Sequence, residues 1–238
     1  MNSDILCIIP ARGGSKRIPR KNVRILAGRP LVAHTITTAL EAEVFAKVVV
    51  SSDDEQVLKI ATEFGVEPDR RPTELCGDDV SSDDVIAEIL YRPTIRDSFA
   101  AVAMMLPTCP LCTVADVQGA VAEFERADCE GFLFTVREYE FPVQLALHFD
   151  EDSGSTLDMV DTAAWNGNRL TQNYAPHFHP NGALYLASVE SFLTEGSFFG
   201  RPLRGYRMPP ERSLDIDYPY QFELAEAWMG RLKLDHQV

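Results

Sequence analysis

The sequence predicts an α/β protein built on a doubly wound, mainly parallel sheet with a protruding arm. Three observations carry that reading. Short apolar or β-branched runs alternate with segments of helical period, in the order strand, helix, strand, helix, strand across residues 5–68. The runs are continuously apolar, as in strands covered on both faces. A loop rich in glycine and cations follows the first run, at the carboxyl end where open α/β sheets place their ligands.

Residues 5–9 are read as the first buried strand, stopped by Pro10, and residues 30–43 as the first crossover helix. Residues 47–51 are a β-branched second strand. Ser52, Asp53, Asp54 and Glu55 cap a helix running to about Phe64, which Gly65 ends. A short third strand occupies residues 66–68. Ser81 and Ser82 lead a helix over about 83–91, with Ser82 as the simplest choice of cap. Residues 100–106 are a wholly apolar central strand that ends in a rigid loop, Pro107 to Cys112. A helix over 113–126 and a strand over 131–136 follow. From 138 to 179 prolines, glycines and scattered aromatics replace the regular pattern, and this stretch is read as the arm, with antiparallel strand near 143–149. Residues 183–187 return to strand, Ser188 caps a short helix, 204–208 form a last strand and 219–231 a closing helix. Residues 1–238 read as one domain, with the arm as an insertion in it.

Composition narrows the function classes. The chain has 238 residues, 45% hydrophobic and 24% charged, enough for one large core. No apolar run approaches the roughly 20 residues of a membrane span, and the N-terminus lacks the marks of a signal peptide. Five cysteines without a framework spacing fit reduced thiols, so a cytoplasmic protein is expected. The net charge of -14 opposes a nucleic-acid or anionic-membrane partner.

Against that charge, Arg12, Lys16, Arg17, Arg20 and Lys21 crowd into ten residues beside Gly13 and Gly14. A strand, a glycine turn that aims backbone N–H groups, and convergent cations describe a polyphosphate cradle. Neither G-x-x-x-x-G-K-[ST] nor G-x-G-x-x-G is present, which sets aside P-loop and dinucleotide readings. The second site is Asp215-Ile216-Asp217: in extended chain both carboxylates point to one side, and few hard oxygen ligands shared with phosphate suit Mg²⁺. The plain alternatives are a solvated basic loop and a solvated acidic turn. Cys109-x-x-Cys112 lacks the second pair that zinc would want and the context of a redox motif. His177 and His179 read as loop residues.

Pro10-Ala11-Arg12-Gly13-Gly14-Ser15-Lys16-Arg17-Ile18-Pro19-Arg20-Lys21-Asn22 resembles the opening signature of the CMP-sialic acid synthetases (acylneuraminate cytidylyltransferases). That family couples CTP to a 2-keto-3-deoxy sugar acid and releases pyrophosphate. The resemblance implies a nucleotide-diphospho-sugar transferase-like fold, a homodimer or dimer of dimers, and an arm over 138–180 used in dimerisation and sugar binding. It implies nucleotide contacts at Ala11, Arg12, Gly13, Gly14, Ser15, Asn22, Arg71 and Ser82. Ser213 to Asp217 resembles the family's metal motif, so Arg12, Lys16, Lys21, Asp215 and Asp217 are the catalytic candidates and Mg²⁺ the cofactor. Asn181-Gly182-Ala183-Leu184-Tyr185 resembles the family's N-G-A-x-Y in the sugar-acid pocket, and Gln172 keeps its spacing from it.

Two departures bear on the sugar. Leu106 stands where the family carries a glutamine, and Thr171 where it carries an arginine, leaving Arg169 as the nearest cation for a substrate carboxylate. The alternatives are the same chemistry on legionaminate, pseudaminate or 3-deoxy-manno-octulosonate, or a non-catalytic sugar-nucleotide-binding homologue. Asn-Gly-Ala-x-Tyr favours the neuraminate or legionaminate type, and Phe141-Pro142-Val143-Gln144 leans toward the pseudaminate group.

Overall fold

Alternation within the first strand, β1 (Ile5–Pro10), organises the architecture. Ile5, Cys7 and Ile9 enter one hydrophobic cluster while Leu6 and Ile8 enter another. Each face of the strand therefore has its own core, and the sequence reads as unbroken apolar residues. The computed structural model of the chain describes residues 4–95, 97–150, 152–167 and 170–235.

After β1 comes a small hairpin, β2 (Ile25–Leu26) and β3 (Arg29–Pro30), absent from the sequence reading, then α1 (Leu31–Glu41), β4 (Lys47–Ser52), α2 (Glu55–Glu63) and β5 (Glu67–Arg70). There follow α3 (Ser82–Tyr91), β6 (Ala101–Met104), α4 (Val114–Glu125) and β7 (Phe132–Glu138). The irregular stretch contains β8 (Leu147–Phe149), β9 (Leu157–Met159) and α5 (Thr162–Asn166). The chain closes with β10 (Phe178–Ser188), α6 (Val189–Glu195), β11 (Leu203–Arg207) and α7 (Pro219–Asp235).

Seven strands pair in the order β11-β7-β10-β6-β1-β4-β5. All neighbours are parallel except β10, which runs antiparallel to both β6 and β7. The sheet is thus mainly parallel, as the alternation of runs predicts. β10 is longer than the predicted 183–187 because it begins at Phe178 and carries a bulge between Pro180 and Tyr185, which breaks the period of two. β8 and β9 pair only with each other, as a separate two-stranded ribbon.

Capping fixes the helix starts. Thr113 and Asp116 form a reciprocal capping box on α4, and Ser188 caps α6. On α3 the cap is Ser81, in a capping box with Asp84, so the sequence choice of Ser82 is corrected. The box needs an acid at the third helical position, which Asp84 supplies to Ser81. No helix among the described residues is long and apolar enough to cross a membrane.

A third, small cluster sits apart from the two main cores. It joins Ile18, Leu26, Leu31, Leu111, Leu214, Ile216, Phe222 and Ala225. Three irregular segments, after β1, after β6 and before α7, thereby rest on one apolar base. Ile216 alone, fully buried, contributes about 1.5–3 kcal/mol to holding its segment down.

Candidate active site

The glycine loop leaves β1 at Ala11, whose N–H donates to the Ser51 carbonyl at the end of β4 (2.9 Å). The Ser52 hydroxyl donates to the Ala11 carbonyl (2.6 Å). Neither Gly13 nor Gly14 has a left-handed backbone; Arg20 does, with φ of 56°. A Cβ at Gly13 would lie 3.1 Å from Asp54 Cβ, a tight approach that glycine avoids, whereas Gly14 faces open space. The Gly13 N–H donates to Asp53 Oδ1 (2.7 Å), and the Ser15 hydroxyl accepts weakly from the Ile18 N–H (3.4 Å).

The loop's cations meet the acidic segment directly. Lys21 Nζ donates to the Ile216 carbonyl (2.8 Å) and lies 3.3 Å from Asp217 Oδ1, while Arg17 Nη1 lies 2.7 Å from Asp217 Oδ2. Residues separated by almost the whole chain are therefore adjacent. The Ile216 N–H in turn donates to the Thr108 carbonyl (2.8 Å), tying the acidic segment to the loop after β6. Ile216 is buried while its two flanking aspartates are partly exposed, the alternation expected of extended chain.

The two carboxylates differ in environment. Asp217 is compensated by Arg17 and Lys21. Asp215 Oδ1 is buried with no hydrogen-bond partner. Burial pushes the Asp215 carboxyl above its ordinary range, with the charge of Asp217 adding to it; the Thr108 hydroxyl and Lys21 oppose the shift.

Beside the glycine loop and the loop after β6 lies a cavity of about 260 Å³, whose lining includes Arg12, Lys21, Asn22 and Arg71 together with Val80, Val85 and Leu106. Arg71 is buried, not a surface cation: Nη2 donates to the Ser51 carbonyl (3.0 Å), and Nε has no partner. Its neighbour Arg70 turns outward to Glu55. Asn22 Nδ2 donates to the Arg12 carbonyl (2.8 Å), which fixes the amide and leaves Oδ1 buried and unpaired. With Ser81 engaged as the cap, Ser82 stands at the start of α3 as part of the cavity lining. One unpaired donor, on Arg71, and one unpaired acceptor, on Asn22, thus belong to residues lining a single cavity, a polar wall suited to a polar ligand.

The Asn-Gly-Ala-x-Tyr segment forms the bulge in β10. Asn181 Oδ1 accepts from the Thr135 hydroxyl (2.7 Å) and the Ala183 N–H (3.1 Å); Nδ2 donates to Ser213 Oγ (2.9 Å) and Met208 Sδ (3.2 Å). All four amide positions are taken inside the protein. Asn181 thereby holds the bulge. Gly182 has φ of 83°, and a Cβ there would lie 3.0 Å from Cys109 Sγ, 3.4 Å from Leu106 Cδ1 and 3.7 Å from Asp215 Oδ2. Glycine is thus demanded twice, by conformation and by space. Tyr185 is buried edge-on against Phe134 (5.0 Å between ring centroids), with Phe199 nearby at 6.2 Å. Cys109 donates to the Asn181 carbonyl (3.2 Å), and burial pushes its thiol up. Gln172 is exposed on a 3-10 turn of the irregular stretch and does not line the cavity. Arg169 lies outside the described residues.

Three contributors escape the sequence reading. Asp78 bridges Lys16 (2.6 Å) and Arg12 (3.4 Å). Thr108 holds the acidic segment. Asp116, almost fully buried, takes a bidentate pair from Arg212 (2.8 and 2.9 Å), anchoring the chain just before Ser213. The spacing of Thr113 and Asp116 suits a capping box; nothing in the sequence marks Arg212 as the partner.

A cytidylyltransferase family model matches residues 6–147. The chain is 36% identical over 225 residues to the N-acylneuraminate cytidylyltransferase of Escherichia coli O18:K1:H7, covering 94% of this chain and 52% of that protein. It therefore spans about half the length of that relative. It is 33% identical over 225 residues to the pseudaminic acid cytidylyltransferase of Campylobacter jejuni, covering 93% and 94% of the two chains. A solved CMP:2-keto-3-deoxy-manno-octonic acid synthetase complexed with CTP superposes with a TM-score of 0.70 at 16% identity, covering 96% of this chain and 99% of that one. That likeness shows a shared fold.

Proposed function

Because this chain belongs to the cytidylyltransferase family, we propose that it transfers the cytidylyl group of CTP to the anomeric hydroxyl of an acylneuraminate-like nonulosonic acid, releasing pyrophosphate. The observation that carries the reading is the contact of Lys21 with both the Ile216 carbonyl and Asp217. It joins the glycine loop, whose Lys21 lines the cavity, directly to the acidic pair. Arg12, Lys16 and Lys21 would neutralise charge as the bond between the α-phosphorus and the leaving oxygen breaks. Asn22, Arg71 and Ser82 would take the polar edges of the nucleotide. The remainder of the catalysis is positioning of the sugar hydroxyl in line with that bond.

Asp215 and Asp217 suit Mg²⁺: they are hard oxygen donors, and a buried carboxylate oxygen of Asp215 lacks a partner. No group of three or more metal-ligating side chains occurs among the described residues, so water and phosphate oxygens would complete the shell. The ion, when bound, polarises phosphate oxygens and offsets their charge.

The amide of Asn181 is engaged inside the protein, so the bulge motif weighs less on substrate choice in this reading than the groups lining the cavity. A second reading, pseudaminate as acceptor, is favoured by Phe141-Pro142-Val143-Gln144 and by the full-length similarity to a pseudaminic acid cytidylyltransferase. Pyrophosphate release from CTP with a panel of nonulosonic acids is the deciding experiment. Turnover with an acylneuraminate in preference to the others is expected; release with none of them would overturn the enzymatic reading in favour of a binding protein.

We further infer that residues 138–180 form an arm that pairs two copies of the chain, in a cytoplasmic enzyme consistent with its free thiols. Leu147 opposes Met159 and Phe149 opposes Leu157 across the β8–β9 ribbon, placing four apolar side chains on one exposed face. A two-stranded ribbon is marginal alone, and a second copy supplies the same apolar face as its cover. Phe149→Asp is expected to convert a dimer to a monomer in analytical ultracentrifugation. An unchanged sedimentation coefficient would remove the arm from the interface.

A further inference from the structure

Each of the five cations of the glycine loop lies beside a carboxylate of the chain. Arg17 and Lys21 hold Asp217, Arg20 lies 3.5 Å from Asp54, and Arg12 and Lys16 share Asp78. Two of these carboxylates have other work: Asp217 belongs to the acidic pair, and Asp54 caps α2. Asp78 has none. Its described partners are Lys16 and Arg12 alone, and it lines the nucleotide cavity from the loop between Arg71 and Ser82. Hydrogen bonding from Lys16 holds its carboxyl below the ordinary range, so it is an anion whenever a nucleotide arrives.

Both pairs are water-exposed, the side chains of Asp78 and Lys16 being 50% and 75% accessible. Pairs of this kind are weak and exchange readily. A single anion of modest charge gains little by replacing Asp78. A triphosphate delivers several charges to the same two cations while its base and sugar are held elsewhere in the cavity.

We propose that Asp78 is a displaceable stand-in for the outer phosphates, holding Arg12 and Lys16 in the free protein, yielding them to a polyphosphate, and reclaiming them as pyrophosphate leaves. It thereby sets which anions the loop retains and lowers the affinity for the released pyrophosphate. This rests on the reading of the loop as a triphosphate cradle. CMP lacks the outer phosphates and is indifferent to Asp78.

Calorimetric binding of CTP, inorganic pyrophosphate and CMP to the wild type, Asp78→Asn and Asp79→Asn tests it. Asp79 carries the same charge in the same loop and is paired with none of the loop cations among the described residues. Asp78→Asn is expected to tighten CTP and pyrophosphate about three- to tenfold, the effect of freeing two exposed ion pairs, to leave CMP unchanged, and to strengthen inhibition by pyrophosphate. Asp79→Asn is expected to match the wild type. Unchanged or weaker pyrophosphate binding in Asp78→Asn overturns the proposal. So does equal tightening of CMP, or the same gain from Asp79→Asn, since either would be a bulk-charge effect. If CTP binds neither protein but pyrophosphate still tightens on Asp78→Asn, displacement stands and the nucleotide reading falls.

Discussion

Asp217→Ala is expected to abolish turnover, lowering kcat by about 10³-fold or more, on the scale of the several kcal/mol that a bound divalent ion contributes at a phosphoryl centre. Asp215→Asn should act likewise. The fold should survive both changes. Asp217 is partly exposed, with its described partners on the flexible side chains of Arg17 and Lys21 and in its own backbone turn at Gln221. Asp215 Oδ1 has no partner to lose. The segment between them is held independently, by burial of Ile216 and its N–H bond to Thr108. The measurement is pyrophosphate release against Mg²⁺ concentration, with the melting temperature as a control. Full activity of either variant at limiting Mg²⁺ would remove that carboxylate from the metal site.

The second large effect belongs to Lys21. Its side chain is only 14% accessible, and it reaches from the glycine loop to the acidic segment. Lys21→Ala removes a cation from the cavity wall and leaves the Ile216 carbonyl without its donor, and an unsatisfied buried acceptor costs about 1–3 kcal/mol. We expect kcat/KM for CTP to fall by roughly 10²-fold or more, because a fixed charge facing the leaving group gains strength in the transition state. Lys21→Arg should recover only part, since a guanidinium on that stem cannot reproduce the geometry of an ammonium. A change confined to the KM of the sugar acid would assign Lys21 to the other substrate.

How far the sequence discloses this molecule depends on whether a feature is local. β1 and β4 are legible because strands buried on both faces must be apolar throughout, and Val48, Val49 and Val50 leave little alternative. The start of α4 is legible because Thr113 and Asp116 are three residues apart. At α3 the same spacing of three, from Ser81 to Asp84, singles out Ser81 over Ser82, whose third residue on is Val85. β10 is obscured by its own bulge, where Asn181 and Gly182 serve side-chain and steric demands rather than the strand period. The glycine loop declares its charge but not its partners: Lys16 meets Asp78, and Arg17 meets Asp217, only through the fold. Arg71 looks like a surface cation in a string of letters, and becomes a cavity wall once β5 sets its direction.

The small cluster under the site has a thermodynamic consequence. Ile18, Leu111 and Ile216 come from three separate segments, yet share one apolar base with Phe222 of α7. Such a unit opens as a whole, with its own free energy below that of global unfolding. Loosening the last helix would therefore release the glycine loop, the loop after β6 and the acidic pair together, while the seven-stranded sheet stayed intact. Heat inactivation would then precede loss of the far-ultraviolet signal, and truncations of Ile18 and Ile216 would combine non-additively.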